Sequence, residues 1–303
     1  MASSNLILAL LVVLTATVTA DFSTSFRNFI NANYGSAMLT ALARTDIDST
    51  YPGQEGSYGG GTHDGLTATS RRPIVIVHGI TNTAATFNGQ RNYFKANGWS
   101  DETVYATTYG AGPNVGVLQV RMECAFVQQI RNLIVAVNAF TKQKVDVIGY
   151  SLGSPIARKA ILGGNCVDGG TALGGNLTHL VETYLSVAGA NRGASQCNIP
   201  FATLVAPVCN TNNGLFCSST FINNINPTVA TQRHYEGNKV FSIYGPSDDK
   251  VGYNPPLLAC SGKRYSLIEG ADAEKIDCVG NHDEILAGTV DIQAYALNNQ
   301  ALP

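Results

Sequence analysis

The chain has 303 residues, 45% of them hydrophobic, enough to bury one large core or two modest ones. Only 13% are charged, the formal net charge is -2, and no basic patch or run of like charge occurs. That balance argues against nucleic acid and strongly acidic partners and suits an uncharged or weakly charged substrate.

Residues 1–20 read as a signal peptide. An apolar run from Leu6 to Leu14 precedes small residues ending Val18-Thr19-Ala20, the pattern a signal peptidase cleaves, so the mature chain is expected to begin at Asp21. Met1 to Asn5 lacks the usual Lys or Arg. The run is too short to span a bilayer and no later stretch approaches that length, so a secreted protein without a transmembrane segment is expected. Export makes disulfides the natural use of the cysteines at 124, 166, 197, 209, 217, 260 and 278, which lack the close pairs of a zinc site. Seven is odd, so at least one is free or paired outside the chain. Asn176-Leu177-Thr178 is the sole N-glycosylation acceptor sequence.

Residues 21–72 form an N-terminal extension. Phe22, Phe26, Phe29, Ile30 and Tyr34 have near-helical spacing over 21–50, and a Gly-rich surface loop follows to about Arg72. From Pro73 strands alternate with helices. The expected strands are 74–78, 103–109, 145–148, 180–187, 240–244 and 264–268. Helices are expected over 83–97, 117–140, 152–162 and 284–298. This order implies a single α/β domain over 21–303, with a mostly parallel sheet covered by helices on both faces. Residues of about 190–237 interrupt the alternation with many Asn, Thr and Ser, three cysteines and scattered large apolar side chains. The stretch is too long for an ordinary connection and reads as an inserted cap.

The chemistry starts at Gly149-Tyr150-Ser151-Leu152-Gly153. G-x-S-x-G directly after a buried strand and before a helix is a nucleophile elbow, whose glycines permit the corner that lifts the serine hydroxyl above the sheet. The helix N-terminus behind it favours developing negative charge. A hydroxyl needs a general base, and where the triad runs Ser, acid, His along the chain, His63 and His78 come too early. His179 and His234 lack a well-placed intervening acid, whereas His282 lies in a loop after the last strand, where a base belongs. The acid should follow the preceding strand, and Asp248 and Asp249 both do; Glu269 is a third candidate. The oxyanion requires two backbone N–H groups, one from Leu152 and one from Ile80 in the strand-ending His78-Gly79-Ile80, with the His78 ring supporting the loop.

Taken together, Val75-Ile76-Val77-His78-Gly79-Ile80, Gly149 to Gly153, Ala188-Gly189-Ala190-Asn191-Arg192-Gly193 and Ile243-Tyr244-Gly245-Pro246-Ser247-Asp248 resemble the class 2 lipases. That family includes small bacterial lipases with a minimal α/β-hydrolase fold and secreted lipase-like proteins of nematodes. The likeness covers about residues 73–298, while 21–72 look closest to the nematode members. The resemblance implies Ser151, Asp248 and His282 as the triad, Ile80 and Leu152 as oxyanion donors, and hydrolysis of acyl glycerols or related carboxyl esters. The family's acid ends an I-Y-x-x-x-D stretch, which favours Asp248 over Asp249. Tyr150 replaces the His often found before the nucleophile, a change expected to alter packing more than chemistry.

Acyl transfer of this kind needs no metal or organic cofactor. Phe201, Leu204, Leu215, Phe216, Phe221 and Ile222 of the insert are expected to line an acyl groove or face a lipid–water interface, or else to form the insert's own core. The insert's length and apolar content also raise a mobile lid, and a Cys260–Cys278 bridge is expected to brace the His282 loop. Two alternatives to an esterase stand beside this reading: an inactive lipid-binding relative, and an amide or peptide hydrolase on the same fold.

Overall fold

A computed structural model describes residues 21–51, 53–255 and 260–303; the expected signal peptide lies outside them. The helical stretch expected over 21–50 is divided into Thr24–Tyr34 (α1), Ser36–Ala43 (α2) and Thr45–Thr50 (α3). The breaks fall at Gly35 and Arg44, both with positive φ, where a continuous helix cannot pass. Phe26 and Ile30 of α1 are buried, and the Phe26 ring packs 5.2 Å from Tyr105 and 4.9 Å from Phe140. The extension thus completes the core and does not merely wrap it.

The loop after α3 contains a short strand, Ser57–Tyr58 (β1), that the sequence pattern did not reveal. Further strands are Ile74–Val77 (β2), Val104–Thr107 (β3), Val145–Tyr150 (β4) and, in a separate two-stranded ribbon, Gly164–Asn165 (β5) and Ala172–Gly174 (β6). Val181–Val187 (β7), Lys239–Ile243 (β8) and Ala273–Lys275 (β9) follow. The main sheet has the order β1-β3-β2-β4-β7-β8-β9, parallel throughout except for the antiparallel β1 edge. Every residue of β2, β3 and β4 is buried, as strands covered on both faces require. Helices Asn88–Ala96 (α4), Cys124–Thr141 (α5) and Gly153–Leu162 (α6) come next in chain order, then Ala202–Val205 (α7) and Thr220–Ile225 (α8). His282–Gly288 (α9) and Val290–Asn299 (α10) close the chain where one helix was expected.

The last strand departs from the sequence reading. Residues 264–268 are not in the sheet, although Tyr265 and Ile268 are buried. Their backbone is satisfied elsewhere: Arg192 N–H donates to Tyr265 O (2.8 Å), while the Asn191 and Ser242 side chains both donate to Ser266 O. The edge of β8 is taken instead by Ala273–Lys275, with Phe241 opposite Ala273. Burial by loops and side chains mimicked the apolar signature of a strand.

Candidate active site

The sharp corner at Ser151 follows from its glycines. A Cβ at Gly153 would lie 2.2 Å from His78 O and 2.3 Å from Val77 O, and one at Gly149 would lie 2.7 Å from Ser154 Cα. Only glycine lets α6 start directly against the end of β2. Ser151 itself has φ 53°, the left-handed region, which costs an ordinary residue on the order of 1–2 kcal/mol. Hydrogen bonds hold it there: Ser151 N–H to Val187 O and Ala190 N–H to Ser151 O, each 3.1 Å. Under the corner, Ser154 Oγ meets Tyr184 Oη (2.8 Å), Ser186 Oγ (2.9 Å) and Asn191 Oδ1 (2.7 Å) in a buried network that ties α6 to β7.

His282 opens α9, capped by Asn281 and Glu284 in a reciprocal capping box. Its ring is buried, and Nδ1 lies 2.8 Å from Asp248 Oδ2. The other Asp248 oxygen accepts backbone N–H groups of Lys250 (3.0 Å), Val251 (2.9 Å) and Gly252 (3.4 Å). Asp249 takes a different part: it is exposed, and its Oδ1 accepts the backbone N–H of His282 at 3.0 Å. That hydrogen bond holds the Asp249 carboxyl below its ordinary range. Glu269 is engaged instead by Arg192, Arg233 and Lys263.

The remaining histidines have other partners. His78 is buried between the Gly79 carbonyl, 2.7 Å from Nδ1, and the Tyr109 N–H, which donates to Nε2 at 2.9 Å. It also stacks on Tyr109 with centroids 4.0 Å apart. Burial lowers its pKa to about 4, so it stays neutral with Nδ1 protonated and supports the turn that carries Ile80. His63 contacts Phe140 O, His234 pairs with Asp272, and His179 is exposed.

Ser151, His282, Ile80 and Leu152 all open on one cavity of about 600 Å³. Among the described residues, neither the Ile80 nor the Leu152 N–H has a hydrogen-bond acceptor, so both are free to donate. Most of the cavity wall is apolar, contributed by Val117 and Leu118 and, from the insert, by Ile199, Val205, Val208 and Leu215. Of the insert residues expected to line it, Leu215 does. Phe201 and Leu204 do not; they project into solvent at 74% and 79% exposure. Phe221 and Ile222 belong to the core, on α8 packed against α6, and Phe216 is half-buried off the cavity. Arg158 of α6 anchors this half of the insert, donating to buried Glu236 Oε1 at 2.9 Å and to Ile225 O at 2.7 Å.

The cysteines correct one expectation. The bridges are Cys124–Cys166, Cys197–Cys209 and Cys217–Cys260, and Cys278 is free and buried. Cys260 is therefore committed to the insert, with a Cα–Cα distance of 5.3 Å to Cys217. Cys278 is instead held at the end of β8, its N–H donating to Tyr244 O and its backbone packed on Gly245. Three disulfides fit an oxidising, extracellular compartment, and no described helix is long and apolar enough to cross a membrane. Asn176 is exposed.

One group of site residues escaped the sequence reading. Tyr150 Oη donates to Asp283 Oδ1 at 2.8 Å, and its ring lies 4.9 Å from that of His282. Lys250 Nζ bridges both Asp283 oxygens at 2.9 and 2.7 Å. Burial works to raise the Asp283 pKa, but the hydrogen bonds from Lys250 and Tyr150 outweigh it and leave the carboxyl below its ordinary range. The segments that carry Ser151, Asp248 and His282 are cross-braced here.

Parallel strands, crossover helices and a serine corner after the strand that pairs with β2 and β7 define an α/β-hydrolase fold with a disulfide-containing insert. Residues 71–295 match the family described as lipase (class 2), and the chain belongs to that family. Its fold is similar to Aspergillus fumigatus lipase B, with a TM-score of 0.55 at 13% identity, over 82% of this chain and 57% of that one. It is also similar to Bacillus licheniformis lipase BlEst2 in its propeptide form, with a TM-score of 0.53 at 15% identity, over 78% and 52% of the two chains. The chain spans little more than half the length of either.

Proposed function

We propose that the protein is a secreted serine hydrolase that cleaves carboxyl esters of lipids through an acyl-enzyme at Ser151. The observation that carries this reading is the His282–Asp248 hydrogen bond beside Ser151, at a cavity whose walls are mostly apolar and whose two free N–H groups belong to Ile80 and Leu152. His282 takes the Ser151 proton as Ser151 Oγ attacks the ester carbonyl, and the Ile80 and Leu152 N–H groups stabilise the oxyanion. His282 then protonates the departing alcohol and activates the water that releases the acid, while Asp248 holds the imidazole tautomer and offsets its positive charge.

A lipid ester is favoured over a soluble one by the rim. Ile199 and Val205, which line the cavity, and their chain neighbours Phe201 and Leu204 are each more than 60% exposed, and the lining residues Val117 and Leu118 are about half exposed. No Asp, Glu, Lys, Arg or His occurs between Gly193 and Gln232. An uncharged, apolar rim at the mouth of an apolar cavity suits the surface of an uncharged lipid phase. The Cys197–Cys209 bridge closes the loop that carries these residues, which supports a fixed rim over a mobile lid.

The test is covalent labelling with a fluorophosphonate, followed by turnover of triacylglycerol emulsion, short-chain ester and peptide amide. Labelling of the wild type, none of Ser151→Ala, and turnover of esters only is the expected result. A folded protein that resists labelling would indicate a lipid-binding relative without catalysis, and cleavage of the amide would move the protein to another substrate class.

A further inference from the structure

The cavity at Ser151 is chemically lopsided. Lys250 and Asp283 are the only charged side chains among the described residues that line it, and they form one ion pair. Asp283 directly follows His282, and Lys250 lies two residues after Asp248. The apolar wall comes from residues far from these in the chain, chiefly the insert and the turn at Val117.

Resting on the ester-hydrolase reading above, we propose that the Lys250–Asp283 pair is the alcohol subsite and selects esters whose leaving alcohol carries free hydroxyls, such as a glycerol or other polyol ester. The assignment follows from the reaction. His282 hands its proton to the alcohol oxygen as the carbonyl–oxygen bond breaks, so the alcohol must sit beside His282. Asp283 follows His282 in the chain and Lys250 is paired to it, all three lining the same cavity, and the acyl chain is left with the apolar wall. The pair is preorganised for hydroxyl groups. Tyr150 Oη fixes one Asp283 oxygen, Lys250 spends two of its three protons on the carboxylate, and the side chains remain 52% and 66% exposed. Each thus keeps capacity for a charge-assisted hydrogen bond, Asp283 as acceptor and Lys250 as donor. An alkyl alcohol such as methanol offers no second hydroxyl to either. Because the pair is half-exposed, the discrimination it gives is moderate, on the order of tenfold, and not the far larger factor of a buried polar site.

The experiment compares kcat/KM for the 1-monoglyceride and the methyl ester of one fatty acid, in wild type, Lys250→Met and Asp283→Asn. A second readout is how the acyl-enzyme partitions between water and added glycerol: the bond from Ser151 Oγ to the acyl carbon breaks, the glycerol oxygen bonds to that carbon, and the glycerol proton passes through His282 to Ser151. Partitioning is measured per turnover, so a misfolded fraction does not affect it. The wild type should favour the monoglyceride about tenfold. Both variants should bring that ratio close to one and lower the glycerol share of product about fivefold. Ratios that stay at the wild-type value in both variants overturn the alcohol subsite while leaving the esterase intact. No turnover of either ester, together with no fluorophosphonate labelling, overturns the esterase reading itself.

Discussion

Asp248→Asn tests the site most directly, because the structure dictates how the new amide would orient. The Asp248 oxygen remote from His282 faces three backbone N–H donors, from Lys250, Val251 and Gly252. An amide NH2 placed there would meet only donors, so Asn must put its carbonyl oxygen there and its NH2 toward His282 Nδ1. The imidazole would then have to accept at Nδ1 and carry its proton on Nε2. In that tautomer it cannot take a proton from Ser151. The imidazolium formed on attack would also lose its carboxylate. Such a change costs about 10³–10⁴ in kcat, or about 4–5.5 kcal/mol of transition-state stabilisation.

Asp249→Asn is the matched control. Its carbonyl oxygen still accepts the His282 backbone N–H now made at 3.0 Å, and the side chain is exposed, so turnover should stay within about threefold of wild type. Hydrolysis of p-nitrophenyl butyrate, with active sites counted from the burst of p-nitrophenol, measures both variants on the same footing. Asp248→Asn that keeps more than a tenth of wild-type kcat, or Asp249→Asn that falls as far, would refute the assignment of the acid.

Two further outcomes concern the framework around the site. Ser151 is held at φ 53°, so Ser151→Gly should unfold at higher urea than Ser151→Ala, by roughly 0.5–1 kcal/mol after the extra freedom of unfolded glycine is counted; a less stable glycine variant would contradict the strain. Two buried groups should oppose each other in acid. His78, with its pKa depressed by burial to about 4, contributes stability that is complete above pH 6.5 and lost as pH falls toward 4, about 3 kcal/mol in all. Asp146 is raised by burial to about 6, against the pull of Arg72, and contributes in the opposite sense, gaining about 3 kcal/mol as pH falls from 6 to 3.8. Asp146→Asn removes the second effect only, so the stability of wild type relative to this variant should rise by about 2.5 kcal/mol between pH 7 and pH 4 in urea titrations. Parallel pH curves would show that Asp146 does not titrate in this range.

How far the sequence could be read depended on whether a residue's partner lay close by in the chain or far away. The corner at Ser151 was legible because Gly149 and Gly153 stand beside it, and each is required there by a backbone contact of under 3 Å. The buried runs of β2 and β4 were legible for a similar reason, since a strand covered on both faces must be apolar along its own length. Residues 264–268 showed the limit of that signal. Tyr265 and Ile268 are as buried as strand residues, but Asn191, Arg192 and Ser242 satisfy the backbone there in place of a neighbouring strand. Burial records that a residue is covered, not what covers it.

The insert and the disulfides were opaque for the complementary reason. Phe201 and Phe221 are the same residue type twenty positions apart, yet one projects into solvent and the other is core against α6. What separates them is the Cys197–Cys209 closure on one side and the Arg158–Glu236 pair on the other, and neither pairing follows from spacing. The same holds at Tyr150. As a substitution for His before the nucleophile it suggested only a change of packing, but its hydroxyl reaches Asp283, which Lys250 grips from the acid loop. Chain order could assign roles to the elbow, the acid loop and the base loop separately. The contacts that hold the three in register run between residues 33 to 133 positions apart, too far for chain order to pair them.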